Sequence, residues 1–238
     1  MESKVDNAEE GNTPSSPHRL RLGAEPVYLL AILLMAVGVA LTERGSLGFS
    51  MIVAPAYILS EVTGLGFGTM EYIVQGVLLL GMALLLRRFR LTYLFSFLTA
   101  FLYGLALDGM LFLFSYLPAV GLPLRILWFV LGASVTAVAV ALFFRVYLAP
   151  EAYDLFVRDV SRHFGLDQGR FKLLYDIGSA LVSVVLSFVF FGFGVFHGIG
   201  VGTLVLALIN GPLIGIAGKF FDRYFELYPM LPLEKYFR

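Results

Sequence analysis

The chain has no cysteine, and only 17 basic and 17 acidic residues among its 238. The missing cysteines exclude disulfides, thiolate nucleophiles and Cys-ligated metals. Sparse and balanced charge offers no basic face to a polyanion, so nucleic acid is not an expected partner. Histidine is limited to His18, His163 and His197, too scattered along the chain for a metal cluster. No nucleophile elbow, intramembrane Ser/His pair or paired-Asp signature occurs, so the sequence points away from an enzyme and calls for no cofactor. What is abundant is apolar. Hydrophobic residues make up 59% of the chain, and the mean hydropathy is +0.85. A water-soluble domain could not bury that share, whereas several apolar runs near twenty residues suit a bilayer. The class this implies is an all-α membrane protein with membrane lipid around it.

Six runs qualify as spans: Pro26 to Leu41, Met70 to Leu86, Leu91 to Leu117, Ile126 to Leu148, Phe171 to Phe193 and Thr203 to Phe221. Asp108-Gly109 is expected to interrupt the third, and Asn210-Gly211-Pro212 the sixth. Between the first two spans lies a stretch, Glu43 to Gly76, in which Gly, Pro, Ser and Thr recur too often for one long helix. It reads as a broken, re-entrant or interfacial element. After Ala149-Pro150 comes a polar segment whose Tyr153, Phe156, Val157, Val160 and Phe164 share one face, with charge mostly opposite. That pattern predicts an amphipathic helix lying on the membrane. Residues 1–23 are polar and are expected to form a disordered cytoplasmic tail rather than a cleaved leader. Residues 223–238 read as a cytoplasmic interfacial tail. With the N-terminus placed in the cytoplasm, all Lys and Arg except Arg44 and Arg125 fall on the inner side. The expectation is a multi-pass plasma (inner) membrane protein with both termini cytoplasmic.

The punctuation repeats. Ala54-Pro55, Tyr57 and Gly64-Leu65-Gly66-Phe67-Gly68 are echoed by Ala149-Pro150, Tyr153 and Gly165-Leu166-Asp167-Gln168-Gly169. Leu105 to Gly109 is echoed by Leu206 to Gly211. Three spans per copy would set the second copy upside down relative to the first. The sequence therefore divides into a first three-span repeat, 24–118, and a second, inverted one, 119–222, each with a broken or interfacial helix.

At Gly45-Ser46-Leu47-Gly48, Ala54-Pro55, Gly64-x-x-x-Gly68, Gly200-Val201-Gly202-Thr203 and Asn210-Gly211-Pro212 the chain resembles the bacterial YitT/YczE-like integral membrane proteins. The resemblance covers about residues 24–222. It implies a small multi-span plasma-membrane protein, and it carries over no catalytic or binding residues. The charged segment Glu151 to Lys172 has no counterpart placed in that family's pattern.

Polar groups inside a bilayer are expensive, which makes each a candidate. Asp108 and Asn210 are repeat equivalents, expected to approach near the pseudo-axis and hold a proton, a cation or a cationic group. The plainer role for both is to satisfy backbone groups freed beside Gly109 and Gly211-Pro212. Glu71 and Gln75 lie one turn apart on one helix face, and the repeat places Lys172 and Asp176 at the corresponding positions. Glu71, Gln75, Asp176 and Tyr175 would make a site for a small polar solute. Against that, Glu71 suits a helix N-terminus and Lys172–Asp176 an internal ion pair. His197 reads as an interface residue on the outer side. The function these residues imply is a small-solute secondary transporter or facilitator, proton- or cation-coupled, with its path between the repeats and pairing with a second copy as an option. The alternative is an accessory or scaffold protein acting through helix contacts with a membrane partner.

Overall fold

The computed structural model describes residues 20–231. Eight helices follow one another in these residues: α1 (Ala24–Gly45), α2 (Ala54–Thr63), α3 (Phe67–Leu86), α4 (Leu91–Phe114), α5 (Leu122–Phe143), α6 (Ala152–Phe164), α7 (Gln168–Phe191) and α8 (Val201–Tyr224). All but α2 and α6 are long and apolar enough to cross a membrane, and they match the six expected spans. The protein is a helical multi-pass membrane protein. Two short strands, β1 (Leu20–Gly23) and β2 (Phe225–Tyr228), pair in parallel and bring the two ends of the bundle's chain together. Glu25 fastens the same corner, accepting from the backbone of Met230 and Leu231 and from the Tyr147 hydroxyl. The expected tail over 1–23 lies mostly outside the described residues; its last four residues form β1.

Two of the expected interruptions are absent. Helices α4 and α8 run unbroken through Asp108-Gly109 and through Asn210-Gly211-Pro212, with Pro212 inside α8. A glycine costs a helix only about 1 kcal/mol, whereas an orphaned backbone group in hydrocarbon costs several. Helix α5 is shorter than its apolar run: it ends at Phe143 rather than Leu148, and the chain turns back there into the bundle.

The core is built on α1 crossing α5, flanked by α4 on α1 and α8 on α5. Gly38 and Gly132 make the crossing close, since a Cβ at either would press on the other's carbonyl. At the end opposite the strands, Arg44 donates to the Leu117 carbonyl, and Arg125 donates to the carbonyls of Gly45 and Ser46. The two arginines expected on the far side of the membrane thus close helix ends there.

Helices α2 and α6 are half-helices. Gln75, which receives the first N–H of α6, sits about 12 Å along α3 and about 16 Å from its end at 1.5 Å per residue. From that mid-depth α6 runs alongside α3 toward the strand end, where Asp159, Arg162 and His163 stand level with Leu86 and Arg88. Its apolar face lies on protein: Ala152, Leu155 and Val160 pack with Leu79, Met82 and Leu86. Helix α2 enters from the opposite end, with Val53 and Ala54 in the core beside Val39 and Tyr103. It is pinned by His197, which stacks against Tyr57 and Phe191 and reaches Glu61 at 3.7 Å. Helix α6 packs on α3 and α7, and α2 packs on α7 and α3.

Candidate functional site

The residues around the inner tip of α6 form the most deeply buried polar cluster among those described. Glu71 and Gln75 project from one face of α3, and both are fully buried. The Tyr153 hydroxyl donates to Glu71 Oε2 at 3.0 Å, and Gln75 Nε2 donates to the same oxygen at 3.3 Å. Gln75 Oε1 in turn accepts the Ala152 N–H at 3.2 Å. The incoming strand of chain is held from α4, where Ser96 donates to the Pro150 carbonyl at 2.8 Å and Thr99 to the Ala149 carbonyl at 3.4 Å. These bonds explain why Ala149-Pro150 can enter the bundle: Pro150 has no N–H to strand, and the carbonyls beside it are satisfied by α4.

Glu151 completes the cluster and is only 7% exposed. It lies in the connection ahead of α6, outside the six long helices. One oxygen of Glu71 and one of Glu151, Oε1 in each case, are buried without any hydrogen-bond partner. No Lys or Arg contacts either group among the described residues. The positive end of the α6 dipole faces the cluster. Buried carboxyls without a basic partner call for a proton or a cation, because uncompensated charge is too costly there.

The other candidates fall elsewhere. Asp108 caps α3 from α4: Oδ1 accepts the Gly68 N–H at 2.6 Å, and Oδ2 accepts the N–H and hydroxyl of Thr69 at 2.9 and 2.8 Å. Asn210 is not beside it. It lines a cavity of about 30 Å³ with Thr42, Ser50, Val53 and Thr136, and its Oδ1 has no hydrogen-bond partner. Tyr175 flanks the Glu71 cluster through ring contacts with Tyr153 and Phe156. Asp176 lies 3.9 Å from Lys172, which also reaches Asp154 at 3.5 Å and so ties α7 to α6. Of the six candidates, only Glu71 and Gln75 meet directly, with Tyr175 at the edge. Glu151 and Tyr153 are the members that sequence reasoning missed. The Ala-Pro echo and the alignment of Tyr153 with Tyr57 were the available signals.

Six spans and two half-helices around a buried acidic cluster define a polytopic membrane protein with an intramembrane polar site. The chain belongs to the family of unknown function DUF6198, which matches residues 24–219. It is also 28% identical over 204 residues to the uncharacterized protein YyaS of Bacillus subtilis, covering 83% of this chain and 94% of the relative. No solved structure matches it.

Proposed function

We propose that the protein is a small-solute secondary transporter or facilitator of the plasma membrane, coupled to a proton or cation at Glu71 and Glu151. The observation that carries this reading is the pair of unpartnered carboxylate oxygens at the mid-depth tip of a half-helix. Intramembrane acids of this kind mark ion and substrate paths, and half-helix ends at the midplane are where secondary transporters bind. Kinship with the YitT/YczE-like proteins and a cytoplasmic position for both termini belong to the same reading. The inverted repeat, 24–118 against 119–222, is supported by the reciprocal packing of α2 on α7 and α6 on α3. The reciprocity lapses at two places: α3 packs closely on α4 and α6 touches α4, whereas neither α7 with α8 nor α2 with α8 is matched in the same way. In a transporter that difference is what one open and one closed half would produce.

Proteoliposome uptake of a metabolite and cation panel under an imposed proton gradient tests the proposal. Gradient-dependent uptake that disappears in Glu71→Gln supports it, and uptake unaffected by that substitution removes the site from the mechanism. The scaffold reading is favoured by one observation: only 11% of the apolar window of α7 is buried, against 50% for α1. It predicts no uptake of any solute, together with co-purification of a partner that contacts α7.

A further inference from the structure

Where α3 turns into α4, the chain carries Arg87-Arg88-Phe89-Arg90. Arg87 adopts the left-handed conformation (φ 48°) as the cap of α3, and the N–H of Arg88 bonds back to the Ala83 carbonyl. This tight turn sends Arg88 and Arg90 toward the outer end of α6. There they line a cavity of about 190 Å³ with Leu86, Tyr93, Asp159, Arg162 and His163.

The charge in this cavity is not balanced. Asp159 is its only carboxylate and is already shared by Arg90 at 3.4 Å and Arg158 at 3.1 Å. Arg88 and Arg162 have no carboxylate partner among the described residues. Guanidinium groups brought together at one end of the bundle match a phosphate, which they bind through paired hydrogen bonds. Tyr93 lines this cavity and also a second, apolar groove of about 360 Å³. That groove runs up the outside of α3 and α4 along Phe89, Leu94, Phe97, Leu79, Leu80, and Gly76. The phosphate-sized pocket and the hydrocarbon-sized groove therefore share a wall, and they lie where headgroup and acyl chain of one lipid would lie.

We propose that this place is a binding site for an anionic phospholipid, its phosphate held by Arg88, Arg90 and Arg162 and one acyl chain in the α3–α4 groove. The bound lipid bridges the α3–α4 turn to α6, the half-helix that carries Tyr153. Its occupancy steadies that half-helix without any contact with Glu71, so the assignment stands independently of the transport reading.

The test uses the purified full-length chain in detergent. Thermal stabilisation and native mass spectrometry are followed during titration with phosphatidylglycerol, phosphatidylcholine and inorganic pyrophosphate. The expected result is retention and stabilisation by phosphatidylglycerol, and an apparent Kd about thirtyfold weaker in Arg88→Gln/Arg162→Gln. The unliganded melting temperature should be unchanged in that variant, since neither arginine has a partner to lose. Leu80→Trp, at an exposed position of the groove, should weaken phosphatidylglycerol and leave the response to pyrophosphate untouched. Equal binding of phosphatidylcholine would overturn the anionic headgroup assignment. Pyrophosphate matching phosphatidylglycerol, with Leu80→Trp silent, would show a soluble-phosphate site and overturn the lipid assignment.

Discussion

Replacing Glu71 by glutamine separates a functional carboxyl from a structural one. The wild-type side chain has one satisfied oxygen, which accepts from Tyr153 and Gln75, and one oxygen with no partner. Glutamine keeps an acceptor at the satisfied position and removes the capacity to carry charge or a proton. It therefore costs less than about 1 kcal/mol, and it stabilises if the wild type bears charge there, because a buried charge without a cation is relieved. Glu71→Ala is a different perturbation. It opens a cavity and strands the Tyr153 hydroxyl and the Gln75 amide, for about 3–5 kcal/mol. At about 2–4 °C per kcal/mol for a chain of this size, melting temperature separates the two variants readily, and Tyr153→Phe should fall between them. Measured beside solute uptake, Glu71→Gln should be as stable as wild type and inactive. Full uptake by Glu71→Gln would refute the assignment.

Three further outcomes are expected. Asp108→Ala leaves the N–H groups of Gly68 and Thr69 at the start of α3 without their acceptor. It should lower the melting temperature by about 5–10 °C, while Asp108→Asn retains most stability and any response to solute. Gly132→Ala places a Cβ 2.6 Å from the Gly38 carbonyl oxygen and should cost about 1–3 kcal/mol in a thermal or denaturant melt. Glu151 is buried with one oxygen unpartnered, so Glu151→Gln, which removes its capacity for charge, should leave the melting temperature equal to or above that of the wild type.

Hydropathy revealed the six spans because a bilayer demands long apolar runs whatever the fold. It could not say that α4 and α8 stay whole through Gly109, Gly211 and Pro212, since that depends on what the backbone would otherwise lose in hydrocarbon. The amphipathic pattern of α6 was legible, but an apolar face reads the same whether lipid or Leu79 and Met82 cover it. That ambiguity hid the site. Once α6 is laid on the membrane surface, Glu151 belongs to water, Tyr153 belongs to lipid, and Glu71 has only its own helix. Asp108 was visible as an expensive acid. Its partners, 39 and 40 residues away on α3, are set by tertiary packing, which no local pattern encodes.

The most direct measurement of the central claim is the melting temperature of the purified protein across a metabolite and ion panel, wild type beside Glu71→Gln. A native-state ligand stabilises by RT ln(1 + [L]/Kd), about 2.7 kcal/mol at a hundredfold excess over Kd. The expected result is at least one solute or cation that raises the wild-type melting temperature and leaves Glu71→Gln unmoved at equal basal stability. A panel in which every stabilising compound acts equally on both proteins would contradict a binding site at Glu71.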